Sequence, residues 1–185
     1  MTILNREFYS KDTVTVAKNL LGKKIIRMIG QNEISGIITE TEAYGHNDDA
    51  ASHAFRKITD RNKVMFEKVG FAYVYFTYGM HFCFNVVAKN PKLAAGAVLI
   101  RAIKPENGIK IMQKNRGNPN LKNLTNGPAK LAQALEITKE QYGIDLTKKS
   151  ELYITEGIKF KKIISSPRIG ITKGADKLWN FKINI

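Results

Sequence analysis

The chain reads as an α+β domain, with a curved, largely antiparallel sheet flanked by helices and a β-hairpin protruding from it. Three observations predict this. β-prone runs crowd the middle of the sequence, helical spacing frames them, and successive strands are joined by short turns rather than by the helical crossovers of a parallel sheet. One hydrophobic core is enough for 185 residues, so residues 1–185 are expected to form a single domain.

Taken in order, Asp12 caps a first helix through Val16, Ala17, Leu20 and Leu21, whose spacing draws one apolar stripe, and Gly22 ends it. Residues 24–29 and 34–44 follow as a hairpin around Gly30, Gln31 and Asn32. Asp48 and Asp49 precede a short helix over 50–54, and Thr59 or Asp60 caps another that runs through Phe66 and stops near Gly70. A second hairpin, residues 71–77 and 82–87, turns at Tyr78, Gly79 and Met80. Residues 97–103 make a further apolar strand, and 105–116 read as a helix in spite of Gly108. Pro128 stands in the first turn of a helix that runs through Leu135. Beyond Tyr142 the pattern thins to short strands near Leu152 and Ile169.

Lysine and arginine number 30 against 16 aspartates and glutamates, a formal net charge of +14. That excess points to nucleic acid, whose phosphates release condensed counterions when cationic side chains replace them. A lysine-rich surface kept soluble by self-repulsion has the same composition. Cys83, the single cysteine, has no internal disulfide partner, which fits a reducing compartment. Three histidines and one thiol show no zinc-ligand spacing, so no metal and no other cofactor is expected. Residues 1–18 lack the apolar centre of a signal peptide, and no stretch approaches the length of a membrane span. The expectation is a soluble, cytoplasmic protein, associated with the nucleoid in a bacterium.

Several residues could carry chemistry. Along Thr39-Glu40-Thr41-Glu42-Ala43-Tyr44, strand alternation places Glu40, Glu42 and Tyr44 on one face. Hydrolysis of an N-glycosidic bond needs a base to activate water and a flat surface to hold the purine, and Glu42 with Tyr44 offers one of each. Acidic residues on a strand are, however, usually solvated. His53, among small residues, donates to a base or satisfies a helix end. Tyr78 stands directly before the glycine of an exposed turn, where a ring or an aliphatic side chain such as Met80 could enter a groove of DNA, while Tyr75, deeper in the strand, faces the pocket. Asn85 and Arg101 are polar groups inside apolar strands, and each needs a partner, either an internal network or a ligand. Lys130 lies near a helix N-terminus, where a phosphate or simple capping accounts for it. Arg61, Arg116 and Arg168 touch backbone or hold loops, and His46 and His81 carry no assigned role.

Together, Leu20-Leu21-Gly22, Thr41-Glu42-Ala43-Tyr44, Ala51-Ser52-His53, Thr59-Asp60-Arg61-Asn62, Tyr73-Val74-Tyr75, Tyr78-Gly79-Met80, Asn85, Leu99-Ile100-Arg101-Ala102, Asn126-Gly127-Pro128 and Arg168-Ile169-Gly170-Ile171 resemble the 3-methyladenine (alkyladenine) DNA glycosylase family nearly end to end. The resemblance implies a monofunctional enzyme of base excision repair that flips alkylated or deaminated purines out of double-stranded DNA, working as a monomer. It makes Glu42 the base that activates water, and Tyr44, His53 and Tyr75 the walls around the flipped nucleobase. Tyr78 becomes the intercalating wedge, Asn85 the group that crowds out guanine, and Arg101 a contact near the DNA backbone. The family's Trp-Arg-Phe pattern is Trp179-Asn180-Phe181 here, a departure expected to affect a late DNA or packing contact and to leave the pocket untouched. Two other readings are a non-catalytic nucleic-acid-binding module, which leaves Glu42 without a purpose, and a hydrolase of free nucleosides, which has no use for a wedge or so basic a surface.

Overall fold

In a computed structural model that describes residues 2–117 and 120–185, the β-rich centre of the chain folds around one long strand. The chain opens with the short helix α1 (Arg6–Tyr9) and with α2 (Thr13–Leu20), whose N-cap Asp12 accepts from the backbone of Val14 and Thr15. Strands β1 (Lys24–Ile29) and β2 (Asn32–Tyr44) follow, then a 3-10 turn at Lys63–Phe66 and the hairpin β3 (Ala72–Thr77) and β4 (His81–Val87). After β5 (Ala97–Asn107) come helices α3 (Ile109–Arg116) and α4 (Pro128–Ala134), and the chain ends in β6 (Leu152–Thr155), β7 (Ile164–Ser166) and β8 (Asn180–Lys182).

All strands join one antiparallel sheet in the order β3-β4-β5-β2-β1-β6, with β8 added to β2 and β7 to β8. β5 accompanies β2 along its length, but the opposite edge of β2 changes partner: β1 pairs with residues 32–37 and β8 with residues 40–42. The change falls on Thr39, which β5 skips and whose carbonyl accepts from Ile183. A second irregularity leaves Arg101 as the extra residue opposite Glu40 and Thr41. Such bulges bend and twist a strand and re-aim its side chains. They curl the sheet here and turn Arg101 toward the acidic face of β2.

One face of the sheet buries the main core. Val16, Ala17 and Leu20 of α2 pack with Ile38, Ala43, Val98, Ile100, Leu131 and Phe181, and the Thr41 hydroxyl donates to the Ala17 carbonyl at 2.8 Å. The other face carries a smaller cluster of Ala54, Val64, Met65, Tyr73, Val87 and Ala97, covered by the 45–71 segment.

Four of the expected elements differ. Residues 50–54 form turns, because the Asp49 carboxylate meets Gly45 N–H and Arg168 instead of opening a helix. The helix expected through Phe66 is a single 3-10 turn with Asn62 at its N-cap, and the Asn62 side chain bonds Thr59, His53 and Lys57 to close the preceding loop. Pro105 lies in β5 rather than in a helix. It pairs with Gly36 at a register shift, where a missing N–H is tolerated, and Gly108, at φ 71, separates the strand from α3. Ile169 is in a turn, and the late strands are residues 164–166 and 180–182.

The 167–174 segment is tied down by a fully buried ion pair. Arg168 donates to both oxygens of Asp49 at 2.6 and 2.7 Å, and also to the carbonyls of Ala43 at 2.9 Å and Gly174 at 3.2 Å. Both side chains have 0% exposure. Burial works against each charge, but the pairing holds the Asp49 carboxyl below its ordinary range. Asp49→Ala strands the guanidinium and is expected to destabilise the protein by about 3–5 kcal/mol in urea unfolding. A loss below about 1 kcal/mol contradicts the assignment of this pair as the anchor of the segment.

Candidate active site

Residues opposite each other on neighbouring strands share a face, so register alone assembles a row across the sheet. Tyr73 lies opposite Asn85, Asn85 opposite Leu99, Leu99 opposite Glu42, and Glu42 opposite Asn180. Tyr44, Tyr75, Cys83 and Arg101 project from the same face beside this row. With His53 from the covering loop and Ile169 from the 167–171 segment, they enclose a cavity of about 250 Å³.

Glu42 lies beneath the wall of this cavity at 0% exposure, and its carboxylate receives four donors. Oε1 accepts from Ile169 N–H at 2.7 Å and from Asn180 Nδ2 at 3.0 Å. Oε2 accepts from the Tyr44 hydroxyl at 2.9 Å and from Arg101 Nη1 at 3.2 Å. Both donors to Oε2 line the cavity, and so does Ile169, which donates to Oε1. Burial first, and the neighbouring Glu42 second, push the Tyr44 hydroxyl well above its ordinary range, so it remains a proton donor.

The aromatic walls are braced from outside. The Arg168 guanidinium lies 4.7 Å from the centroid of Tyr44 and Arg61 lies 4.9 Å from that of Tyr75, yet neither arginine lines the cavity. His53 packs edge-on against Tyr75, and its Nδ1 is 2.7 Å from the Tyr73 hydroxyl. Packing around the ring, and secondarily the Arg61 charge, push the His53 imidazole down to about 4, although the residue as a whole is exposed. His53 is therefore neutral at physiological pH. Asn85 donates to the Tyr73 carbonyl at 3.0 Å. Asn85 and Arg101 thus meet internal partners while still lining the cavity.

Tyr78 stands at the rim with 84% exposure. It has φ 52 and is followed by Gly79 at φ 67, so two consecutive left-handed residues make the tight turn that suits a twisted hairpin. Gly79 has open space around it, and its conformation is the one glycine adopts without strain. A tyrosine in the left-handed region costs about 1–2 kcal/mol.

Two of the expected DNA contacts lie apart from this group. Met80 faces a separate groove formed with Ala129, Ala132 and Gln133 of α4. Lys130 donates to Asn126 Oδ1 at 2.9 Å and does not line the cavity. Sequence reasoning assigned no role to Tyr73, Glu40 or Ile169 N–H and left Arg168 among loop-holding residues. The departure at Asn180 does reach the site: its amide is buried against Glu42, correcting the expectation that the pocket residues were untouched. Alternation did place Glu40 beside Glu42, and the register across β2 and β8 was the missing signal for Asn180. Among the described residues, no three His, Cys, Asp or Glu side chains converge as metal ligands, and no helix is long and apolar enough to cross a membrane.

The curled antiparallel sheet thus holds a buried carboxylate beside an aromatic-walled cavity, and the comparisons identify the family. The Methylpurine-DNA glycosylase family model matches residues 7–185. A protein of Prosthecochloris aestuarii named "Putative 3-methyladenine DNA glycosylase" is 48% identical over 177 residues, covering 94% of this chain and 84% of its own. Proteins given the same name are 47% identical in Carboxydothermus hydrogenoformans, over 97% of this chain and 94% of theirs, and 45% identical in Ehrlichia chaffeensis, over 98% and 93%. The chain belongs to the methylpurine-DNA glycosylase family. It is a DNA glycosylase, a hydrolase of DNA repair whose substrate is DNA, which removes the reading as a non-catalytic binding module.

The depressed His53 imidazole makes stability depend on pH. Between about 6.5 and about 4 the unfolded chain takes up a proton that the folded ring does not, so stability falls as pH drops through that window. Unfolding free energies of the native protein and of His53→Gln, measured across this range, are expected to show a shallower fall in the variant. Equal slopes contradict a neutral, pocket-bound His53.

Proposed function

We propose that this glycosylase everts a damaged purine from duplex DNA into the cavity and that Glu42 activates the water that attacks C1′. The observation that carries the reading is the buried Glu42 carboxylate, whose Oε2 is held by two residues that line the cavity, Tyr44 and Arg101. Water reaches Oε2 by taking the place of one of these donors. The carboxylate then accepts the water's proton and its charge stabilises the sugar as positive charge develops there. Tyr44 and Tyr75 stack on the base, neutral His53 hydrogen-bonds near it, and Asn85 crowds the exocyclic amino group of a normal guanine. Tyr78, strained and exposed at its turn, fills the gap in the duplex, which is a use that accounts for its conformation.

Among the described residues no lysine lines the cavity, and the reaction proposed is monofunctional, leaving an intact abasic site. The form proposed to act is a monomer. The substrates proposed are alkylated and deaminated purines, namely 3-methyladenine, hypoxanthine and etheno adducts, because electron-poor purines depart most readily. Arg101 lies near the DNA backbone beside the everted nucleotide, and the net charge of +14 supplies general attraction to phosphate.

Glu42→Gln is expected to bind a lesion duplex like the native protein and to lose base release by about 10³-fold in single-turnover assays. Undiminished release removes Glu42 from the reaction. Tyr78→Gly relieves the left-handed strain and is expected to stabilise the fold by about 1 kcal/mol while weakening capture of lesion duplex more than binding to plain duplex. Equal weakening on both duplexes contradicts the wedge. Duplex affinity is expected to fall linearly in log salt with a slope of about −0.9 per neutralised phosphate, where a hydrolase of free nucleosides would be nearly indifferent.

A further inference from the structure

Glu42 is not the only carboxylate in this network. Glu40 and Glu42 sit two residues apart on β2 and share their partners. Arg101 donates through Nε to Glu40 Oε1 at 3.1 Å and through Nη1 to Glu42 Oε2 at 3.2 Å. Asn180 Nδ2 donates to Glu40 Oε1 at 2.9 Å and to Glu42 Oε1 at 3.0 Å. The four side chains therefore close a ring in which two carboxylates are bridged on one side by a guanidinium and on the other by a neutral amide. The Asn180 carbonyl oxygen accepts from Ser166 Oγ at 3.3 Å, which fixes the amide so that its NH2 faces the carboxylates.

The ring has an uneven charge balance. Two buried anions share one inserted cation; Lys182 Nζ, half-exposed, lies 3.4 Å from Glu40 Oε2, and the Arg168 guanidinium that faces Glu42 is already paired with Asp49. Burial raises the cost of the Glu40 charge, but the Asn180 amide, Arg101 and Lys182 together hold its carboxyl below the ordinary range, so both anions press on Arg101. If Arg101 served Glu42 alone, most of the negative charge facing C1′ would be neutralised. Sharing prevents that.

We infer that Glu40 and Asn180 are positioning residues for Glu42: Glu40 takes up part of the Arg101 charge and Asn180 fixes the direction of the carboxylate without adding charge, so that Glu42 stays anionic and aimed at the cavity. This rests on Glu42 being the base proposed above. Other groups facing Glu42 are the Tyr44 hydroxyl on β2, Ile169 N–H, Cys83 on β4 and the Arg168 guanidinium, and neither variant below alters them.

The two substitutions act with opposite sign. Glu40→Gln removes a neighbouring negative charge and leaves Arg101 to Glu42, which favours the ionised form of Glu42 and weakens its pull on a proton. Asn180→Ala removes a donor to Glu42 Oε1, which disfavours the ionised form. In single-turnover release from a hypoxanthine duplex, the acid limb of the pH profile is expected to move down by about half a unit to one unit in Glu40→Gln and up by a similar amount in Asn180→Ala. The plateau of Glu40→Gln is expected to fall by roughly tenfold, with lesion-duplex binding retained. Circular dichroism and thermal unfolding report whether each variant is folded, and the upward shift in Asn180→Ala decides the matter where Glu40→Gln fails to fold. Lower plateaus with unmoved acid limbs overturn the proposal and leave both residues as scaffold. Glu42→Gln, assayed alongside, separates the two levels: full activity there removes the base itself, whereas its inactivity combined with unmoved limbs removes only the roles of Glu40 and Asn180.

Discussion

The structure depends on one buried carboxylate that must stay charged. An anion at 0% exposure is tolerable only when its oxygens are filled with donors, and Glu42 draws its four from four different places. Tyr44 comes from the same strand, Arg101 from β5, Asn180 from β8, and Ile169 N–H from the turn anchored by Arg168. Ile169 and Asn180 are therefore part of the candidate site. β8 brings Asn180 against Glu42, the 167–171 turn both donates to Oε1 and lines the cavity, and Oε2 is held by Tyr44 and Arg101, which line it as well.

The same requirement explains irregularities in the sheet. A regular β2–β5 ladder has no reason to aim a guanidinium at two carboxylates, but the extra residue at Arg101 re-aims it, and the skip at Thr39 frees the edge of β2 to exchange β1 for β8. Below the skip β2 belongs to a structural hairpin. Above it, β2 carries the candidate active face. The strain at Tyr78 is a second local departure, placed at the rim of the cavity, where the proposed wedge would stand.

Much of this was legible in the sequence wherever the determinant was local. Alternation along 39–44 put Glu40, Glu42 and Tyr44 on one face, and glycine after Tyr78 marked the exposed turn. Polar Asn85 and Arg101 inside apolar strands announced that partners existed, and the ordered motifs carried the family. What escaped was non-local. Asp49 reads as a helix cap but faces an arginine 119 residues away, and its carboxylate pairs there instead of starting a helix. Pro105 reads as a helix start because a sequence does not reveal a bulge opposite Gly36. Asn180 reads as a lost cation at a remote contact, and only the pairing of β8 with β2 places its amide against Glu42. Tyr73 gave no signal beyond aromatic packing, though its hydroxyl meets His53.

If Glu42 supplies negative charge where the sugar becomes positive, the protein should recognise that charge without any bond being broken. Affinities for two duplexes measure this directly, one carrying a pyrrolidine abasic nucleotide, cationic at the anomeric position, and the other its neutral tetrahydrofuran counterpart. The account predicts tighter binding of the cationic duplex by the native protein and loss of that preference in Glu42→Gln. A preference that survives unchanged in the variant contradicts it.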